Sequence, residues 1–353
     1  MLTIDGSRYS GSGTIVRQAV AFSALTGRSV HVVNARAKRD KPGLRPQHIR
    51  VVEAIAELVN GRAEGLGPGS QEFTFRPGPI KTGRHYYWEI GSAGSTTMLS
   101  LGILPVLAFA TSPITVELHG GLFQDFAPSV FHLQHVLLPM LRVMGLRAHA
   151  EIGRPGYVPR GEGILRLAVE PLTESLKPTV KEAAGPVTRL WGIALSSHLE
   201  ERKVSQRMAD TARDLLAKAG YEVEIEVCND TESLQRGAAL ALFADREGAS
   251  RLGADQAGAL RRSAESIGKH VANQLLDDLK SGATLDRFVA DQIIPFAALA
   301  SGESRFIIPM VTDHVLTSAW LAETFLDAHV RIDGPRLVIQ GIAFWPNHAG
   351  ATN

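Results

Sequence analysis

Residues 2–27 read LTIDGSRYSGSGTIVRQAVAFSALTG. LTID is a short strand, GSRYSGSG a glycine-rich turn, and TIVRQAVAFSALTG an apolar helix closed by Gly27, since glycine ends a helix in the left-handed conformation without a Cβ penalty. Strand SVHVVNA (29–35) follows, then a helix over 46–61, PQHIRVVEAIAELVNG. Pro46 suits the first turn, where a missing N–H breaks no helical bond. Ile49, Val52, Ile55 and Leu58 form one apolar stripe on that helix. Two strands, QEFTFRPG (71–78) and HYYWEIG (85–91), end the first unit.

The same order recurs downstream. GSAGST (91–96) leads into an apolar helix through Leu107, followed by strand ITVELHGG (114–121), helix VFHLQHVLLPMLRVMG (130–145), and strands RAHAEIG and ILRLAVEP. A third unit begins near Leu285 with helix DRFVADQIIPFAALASG (286–302), strand SRFIIPMV, helix DHVLTSAWLAETFLD (313–327), and strands AHVRIDG and RLVIQGIAF. The glycine-turn helices start near residues 13, 95 and 286, so about 80 residues separate the first two and about 190 the last two. Three similar units with an insertion of roughly 100 residues account for that spacing. The insertion reads as a small α/β domain: strand TRLWGIALSS, helix ERKVSQRMADTARDLLAKAG, strands EVEIEVC and GAALALFA, and a long helix from about Gln256 to Leu279. The expected architecture is α/β (α+β), with three βαβαββ-type units: residues 1–184 hold two, 185–277 the inserted domain, and 278–353 the third.

Composition limits the functions open to such a chain. Its 353 residues carry 37 Lys+Arg against 36 Asp+Glu, a net charge of +1, with 44% hydrophobic and 21% charged residues. A disordered chain would have fewer apolar residues and a larger charge, and a bulk polycation that coats nucleic acid is excluded, although a local basic patch is not. One cysteine, Cys228, rules out an internal disulfide and a cysteine-based zinc site, and suits a reducing cytoplasm. The N-terminus MLTIDGSRYSG has no secretory pattern. The most apolar window, MLSLGILPVLAFATSPITV from Met98, is broken by Pro105 and Pro113 and is too short in its helical part to span a bilayer. A cytoplasmic protein without a membrane segment is expected.

Several segments have chemical readings. The turn GSRYSGSGT offers N–H groups to a phosphate at a helix N-terminus, but it lacks the lysine of a P-loop and the third glycine of a dinucleotide fingerprint, so a tight structural turn is the plainer reading. ARAKRDKPGLRPQH places Arg36, Lys38, Arg39, Lys41 and Arg45 against one acid, Asp40, around a Pro-Gly turn. A solvated loop is the plain reading, and a phosphate-binding loop the functional one, since guanidinium groups present paired donors to phosphate oxygens. His314 follows Thr312 and Asp313 at the head of an amphipathic helix. It is either a first-turn residue beside an N-cap or a nucleophile whose phosphorylated form the helix N-terminus would favour. His48, His132, His135 and His149 lack metal-ligand spacing with acids, and no Gly-x-Ser-x-Gly elbow occurs.

Together these segments resemble the RNA 3′-terminal phosphate cyclase family. The likeness lies in LTIDGS…GSGTIVR, ARAKRDKPGLRPQH, EIGSAGS, RPGYVPRGEG, VADQIIP and DHVLTSAWLAETFL, in that order, and covers essentially the whole chain. The resemblance implies ATP-dependent conversion of an RNA 3′-phosphate into a 2′,3′-cyclic phosphate through a covalent histidine-AMP and an RNA-adenylate, with ATP and Mg²⁺ or Mn²⁺ required. It implies that His314 is the nucleophile, that Arg17, Pro128, Phe288, Asp291 and Gln292 face the nucleotide, and that Arg36, Arg39 and Gln47 face the RNA phosphate. The partner would be RNA with a 3′-phosphate end; oligomeric state is left open.

The chain departs from the family pattern in places. Ser10 stands where the family carries a metal-binding glutamate, Leu101 replaces a nucleotide-facing glutamine, and Phe288 replaces a tyrosine. The arginine-histidine-glycine signature reads Arg154-Pro155-Gly156, and Glu162 interrupts a triple glycine. Asp125 and Glu162 are candidate substitute carboxylates. A catalytically silent member that binds RNA or assists ribosome assembly is the alternative, favoured by Ser10 and Leu101 and opposed by His314. An enolpyruvyl transferase, related in architecture, would lack the insertion.

Overall fold

Three sheets share one pairing pattern in the computed structural model, which describes residues 1–80, 83–248 and 250–346. The first unit runs β1 (Leu2–Asp5), α1 (Gly13–Thr26), β2 (Val30–Val33), α2 (Pro46–Leu58), β3 (Arg62–Glu64) and β4 (Phe73–Arg76). Its strand order is β1-β2-β4-β3, with β1 and β2 parallel and the other neighbours antiparallel. The second unit runs β5 (His85–Glu89), α3 (Thr96–Leu107), β6 (Ile114–Gly120), α4 (Val130–His132), a π-helical stretch Leu133–Leu137, α5 (Leu138–Val143), β7 (Arg147–Arg154) and β8 (Gly163–Glu170). Its order β5-β6-β8-β7 repeats the same parallel and antiparallel senses.

After β9 (Val180–Lys181) comes the inserted segment: β10 (Val187–Ser197), a 3₁₀ turn, α6 (Val204–Lys218), β11 (Val223–Asp230), β12 (Gly237–Arg246), β13 (Ser250–Ala257) and α7 (Ala264–Lys280). The chain then forms α8 (Val289–Gln292), α9 (Ile294–Leu299), β14 (Glu303–Ile307), α10 (Asp313–Leu326), β15 (His329–Asp333) and β16 (Arg336–Gln340). The third sheet, β15-β16-β14-β9, again has one parallel pair, β9 with β14.

Pairing reassigns some elements. His85–Glu89 reads as the last strand of the first unit, but it pairs parallel with β6 and opens the second. The first unit instead takes the short β3, which its polar sequence RAE conceals. The third sheet takes β9 from before the insertion, so the inserted segment interrupts this unit after its first strand. Gln256 and Ala257 belong to β13, and α7 starts only at Ala264, capped by Ser263, whose side chain accepts from Ser266 N. The expected single helix over 286–302 is two short helices, broken where Pro295 sits in the first turn of α9 and has no N–H to continue the earlier helix.

Burial explains why the glycine-turn helices are apolar all round. α1 packs against α2, α3 and α10, and nearly every residue of α1 and α3 is buried. Such helices lie in the middle of the core rather than on its surface. In the inserted sheet, alternate residues of β12 face two different cores. Leu240 and Leu242 pack beneath α6 and α7 with Met208, Ala212, Val271 and Leu275. Ala241 and Phe243 join the main core. A strand covered on both faces reads as a continuous apolar run, which is why GAALALFA shows no alternation.

A proline in the second unit helps dock the insertion. Pro139 cannot donate to the carbonyl four residues earlier, and that carbonyl, His135 O, accepts instead from Arg251 of β13 at 2.8 Å. No helix among the described residues is long and apolar enough to cross a membrane.

Candidate active site

The N-termini of α1, α2 and α10 converge on a cavity of about 530 Å³, lined by residues of all three units. Gly13 and Thr14 enter from α1, Gln47 and His48 from α2, and His314 from α10. Helix N-termini present unpaired N–H groups and partial positive charge, which favours anions. The cavity brings together every residue expected from the sequence: Arg17, Arg36, Arg39, Gln47, Pro128, Phe288, Asp291, Gln292 and His314.

His314 occupies the first turn of α10, which Thr312 caps by accepting from Val315 N at 3.2 Å. Its Nδ1 lies 3.0 Å from Thr14 Oγ1, and Thr14 Oγ1 also accepts from Arg17 at 3.2 Å. Burial, with Arg17 and Arg39 nearby, brings the imidazole pKa down to about 4 against a weak opposing pull from Asp313. His314 is therefore neutral at physiological pH, with a lone pair available for attack.

The basic loop divides its work. Arg36 and Arg39 line the cavity, while Lys38 turns away and donates to Tyr9 O at 2.6 Å. One nitrogen of Arg36 donates to Lys41 O (3.0 Å) and Gly43 O (2.5 Å), stapling its own loop. Gly43, at φ +81°, packs so closely on Gly69 that a Cβ would overlap its backbone. Arg17 sits deepest, and desolvation, reinforced by Arg39 and opposed by Asp291, lowers its pKa to about 10. It remains a cation.

Gln47 bridges two units, because its Oε1 accepts from Ser95 N at 2.9 Å and anchors the second glycine turn. In the same cavity, desolvation pushes Asp291 up to about 7 although Arg17 pulls it down. Phe288 and Pro128 offer apolar surfaces there, and Pro128 is fixed by its carbonyl accepting from Thr97 Oγ1 at 2.8 Å. Leu101 adds another apolar patch.

Ser10 does not line the cavity. Its Oγ lies between Thr317 Oγ1 (2.9 Å) and Ser12 Oγ (3.0 Å), and its N–H donates to Thr317 Oγ1 at 3.2 Å, so it ties the first glycine turn to α10. The candidate substitutes are also engaged: Asp125 pairs through both oxygens with Arg262 (2.7 and 2.9 Å), and Glu162 pairs with Arg160 at 2.8 Å. Among the described residues no group of three His, Cys, Asp or Glu side chains is gathered to hold a metal. As placed, Ser10, Asp125 and Glu162 do not gather into a site for Mg²⁺ or Mn²⁺, which prefers carboxylate and phosphate oxygens.

Sequence reasoning missed Thr14, His48 and the His132–Asp286 pair. Thr14 reads as an ordinary helix residue, because its partner lies 300 positions away. His48 is buried against Gly13, and its Nδ1 accepts from Arg45 N at 3.1 Å. Burial, then Arg36, Arg17, Arg39 and Arg45, lower its pKa to about 2, so it is a neutral spacer among the arginines. His132, which shows no acidic partner in sequence, pairs with Asp286 at 3.0 Å in a fully buried contact. Its ring meets Phe288 edge-on at 5.4 Å. Neither the Thr14–His314 contact nor the His132–Asp286 pairing has a local sequence signal, because each joins residues far apart in the chain.

Comparison with known proteins points one way. A family model described as RNA 3′-terminal phosphate cyclase matches residues 8–332. The chain is similar to proteins of that name from Methanopyrus kandleri, 37% identical over 338 residues, covering 95% of this chain and 96% of the relative. The Desulfurococcus amylolyticus protein is 35% identical over 359 residues, covering 98% and 99%, and that of Nitrosospira multiformis 38% identical over 333 residues, covering 94% and 93%. A solved EPSP synthase structure from Acinetobacter baumannii aligns over 97% of this chain and 65% of that chain at 13% identity and a TM-score of 0.30, too slight a likeness to bear on fold or function.

Proposed function

The chain belongs to the RNA 3′-terminal phosphate cyclase family, and from that premise we propose that it uses ATP to convert an RNA 3′-phosphate into a 2′,3′-cyclic phosphate. It is an enzyme of the cyclase kind. The observation that carries the reading is His314, neutral, held at Nδ1 by Thr14, and set among Arg17, Arg39 and helix N-termini.

With Nδ1 occupied, Nε2 is the nitrogen left to attack. It bonds to the α-phosphorus of ATP as the bond from that phosphorus to the bridging oxygen breaks, and pyrophosphate leaves. Nδ1–H stays with Thr14 Oγ1. An oxygen of the RNA 3′-phosphate then attacks the α-phosphorus, the N–P bond breaks, and the imidazole is released neutral. The adjacent 2′-OH attacks the activated 3′-phosphorus, its proton passes to water, and the bond from that phosphorus to the AMP oxygen breaks, releasing AMP. Covalent catalysis divides a hard step into easier ones, and the last is intramolecular, so proximity favours it.

Arg17 and the N-termini of α1 and α10 would stabilise charge at the phosphates of ATP. Phe288 and Pro128 would bound the base, with Asp291 and Gln292 as polar partners of the nucleotide. Arg39, Arg36 and Gln47 would receive the RNA phosphate. The reaction belongs in a reducing cytoplasm on this reading, in keeping with a chain that has one cysteine.

Ser10 favours a second reading, a silent protein that binds RNA ends without turning them over. RNA labelled at its 3′-phosphate separates the two. Incubation with ATP is expected to render the label resistant to phosphatase and release AMP; RNA binding with no protected label would support the silent reading.

A further inference from the structure

One aromatic ring at the cavity rim has no part in the chemistry above. Phe126 lies in the loop between β6 and α4, lines the cavity, and is 99% exposed. A lone exposed apolar residue is ordinary, but Phe126 differs in two respects. Its backbone is left-handed, φ +64°, a conformation strained for a bulky residue. The surrounding loop is also pinned on both sides: Asp125 pairs with Arg262 through both oxygens (2.7 and 2.9 Å), Pro128 O accepts from Thr97, and Ser129 N donates to Asp255 at 2.7 Å. Arg262 and Asp255 both come from the inserted segment. Strain imposed by a well-tied loop beside a binding site is a signature of function.

Resting on the cyclase reading, we propose that Phe126 is a stacking platform for a base at the 3′ end of the RNA, held in place by the inserted domain through Arg262. At 99% exposure the Phe126 ring is open to a ligand at the cavity mouth. A polynucleotide held by its terminal phosphate near Arg39 must leave through the mouth, and its last bases pass the rim. An aromatic face accepts any base, which suits an enzyme that recognises a chemical end rather than a sequence.

The test compares two steps in one protein. Phe126→Ala is expected to lower the ratio of RNA cyclisation, at subsaturating 3′-phosphate RNA, to adduct formation with ATP alone by about tenfold, a typical size for one lost base stack. Phe126→Tyr should restore the ratio, and wild-type protein should handle RNA whose last nucleotides lack bases about as poorly as the alanine variant handles ordinary RNA. An unchanged ratio in Phe126→Ala, or a loss falling mainly on adduct formation, would overturn the proposal. A binding measurement keeps it independent of catalysis: the emission added by Phe126→Trp should be quenched by 3′-phosphate RNA and not by its base-lacking counterpart. If wild-type protein forms no adduct, the cyclase reading fails, while quenching still supports the platform and its absence still refutes it.

Discussion

Thr14 Oγ1 and His314 Nδ1 lie 3.0 Å apart, joining the first turn of α1 to the first turn of α10 across 300 residues of chain. Attack through Nε2 needs the proton on Nδ1, and Thr14 Oγ1 can accept it. Thr14→Val removes that acceptor while keeping shape. Loss of one such hydrogen bond, about 1 kcal/mol, predicts roughly fivefold slower adduct formation, with Thr14→Ser restoring the rate. Single-turnover kinetics with ATP would check this, and an unaffected rate in the valine variant would remove Thr14 from the mechanism.

The depressed pKa of His314 sets a pH profile. An ordinary imidazole, near 6.5, would lose half its nucleophile at that pH; His314 is held down to about 4. Only the neutral ring attacks, so the rate of adduct formation at subsaturating ATP, which reports the free enzyme, should show no His314 limb between about pH 8 and about pH 5 and fall below it. Arg39→Gln removes one source of the depression, so the acidic limb should move to higher pH. A wild-type limb centred near 6.5 would contradict this electrostatic account.

Arg39 is exposed at the cavity and its side chain holds no loop carbonyl among the described residues, whereas Arg36 also staples its loop. Arg39→Ala is therefore expected to weaken use of 3′-phosphate RNA more than self-adenylation, by about tenfold for loss of a charge-assisted contact of about 1.5 kcal/mol. The corresponding Arg36 variant should lose both steps together. Equal losses in Arg39→Ala would count against a substrate-phosphate role.

The His132–Asp286 pair gives a stability prediction. Asp286 also accepts from Gly253 N at 2.9 Å and from Phe288 and Val289 N, each at 2.9 Å, so it ties β13 of the insertion to the segment carrying Phe288. Burial works against both charges, yet their attraction and hydrogen bond prevail, raising the His132 pKa and lowering that of Asp286. Asp286→Ala leaves a buried histidine and several N–H donors without partners, a loss of about 3–5 kcal/mol. Urea unfolding would measure it; a change within about 0.5 kcal/mol would mean the pair is not structural.

The sequence displays those features that physics makes local. Gly27, Pro46 and the apolar stripe of α2 are visible as punctuation and periodicity, and the first glycine turn marks α1, whose N-terminus opens at the cavity. The expected residues that line the cavity were singled out by a resemblance, not by spacing. Strand partnership was hidden because it is nonlocal: His85–Glu89 has the same composition whether it closes the first sheet or opens the second, and β9 is a two-residue strand made visible only by β14. Thr14, His132 and Phe126 act through partners or placement distant in the chain, so nothing in their neighbourhoods announced them.

The central claim is that His314 forms a covalent bond to AMP. The direct measurement is incubation of wild-type protein and His314→Ala with ATP labelled at the α-phosphate, followed by acid treatment and detection of label on the protein. The account predicts an acid-labile label on the wild type and none on the variant, which should stay folded because His314 contributes little to the core at the head of α10. No label on the wild type with Mg²⁺ or Mn²⁺ present, or a label that survives His314→Ala, would contradict it.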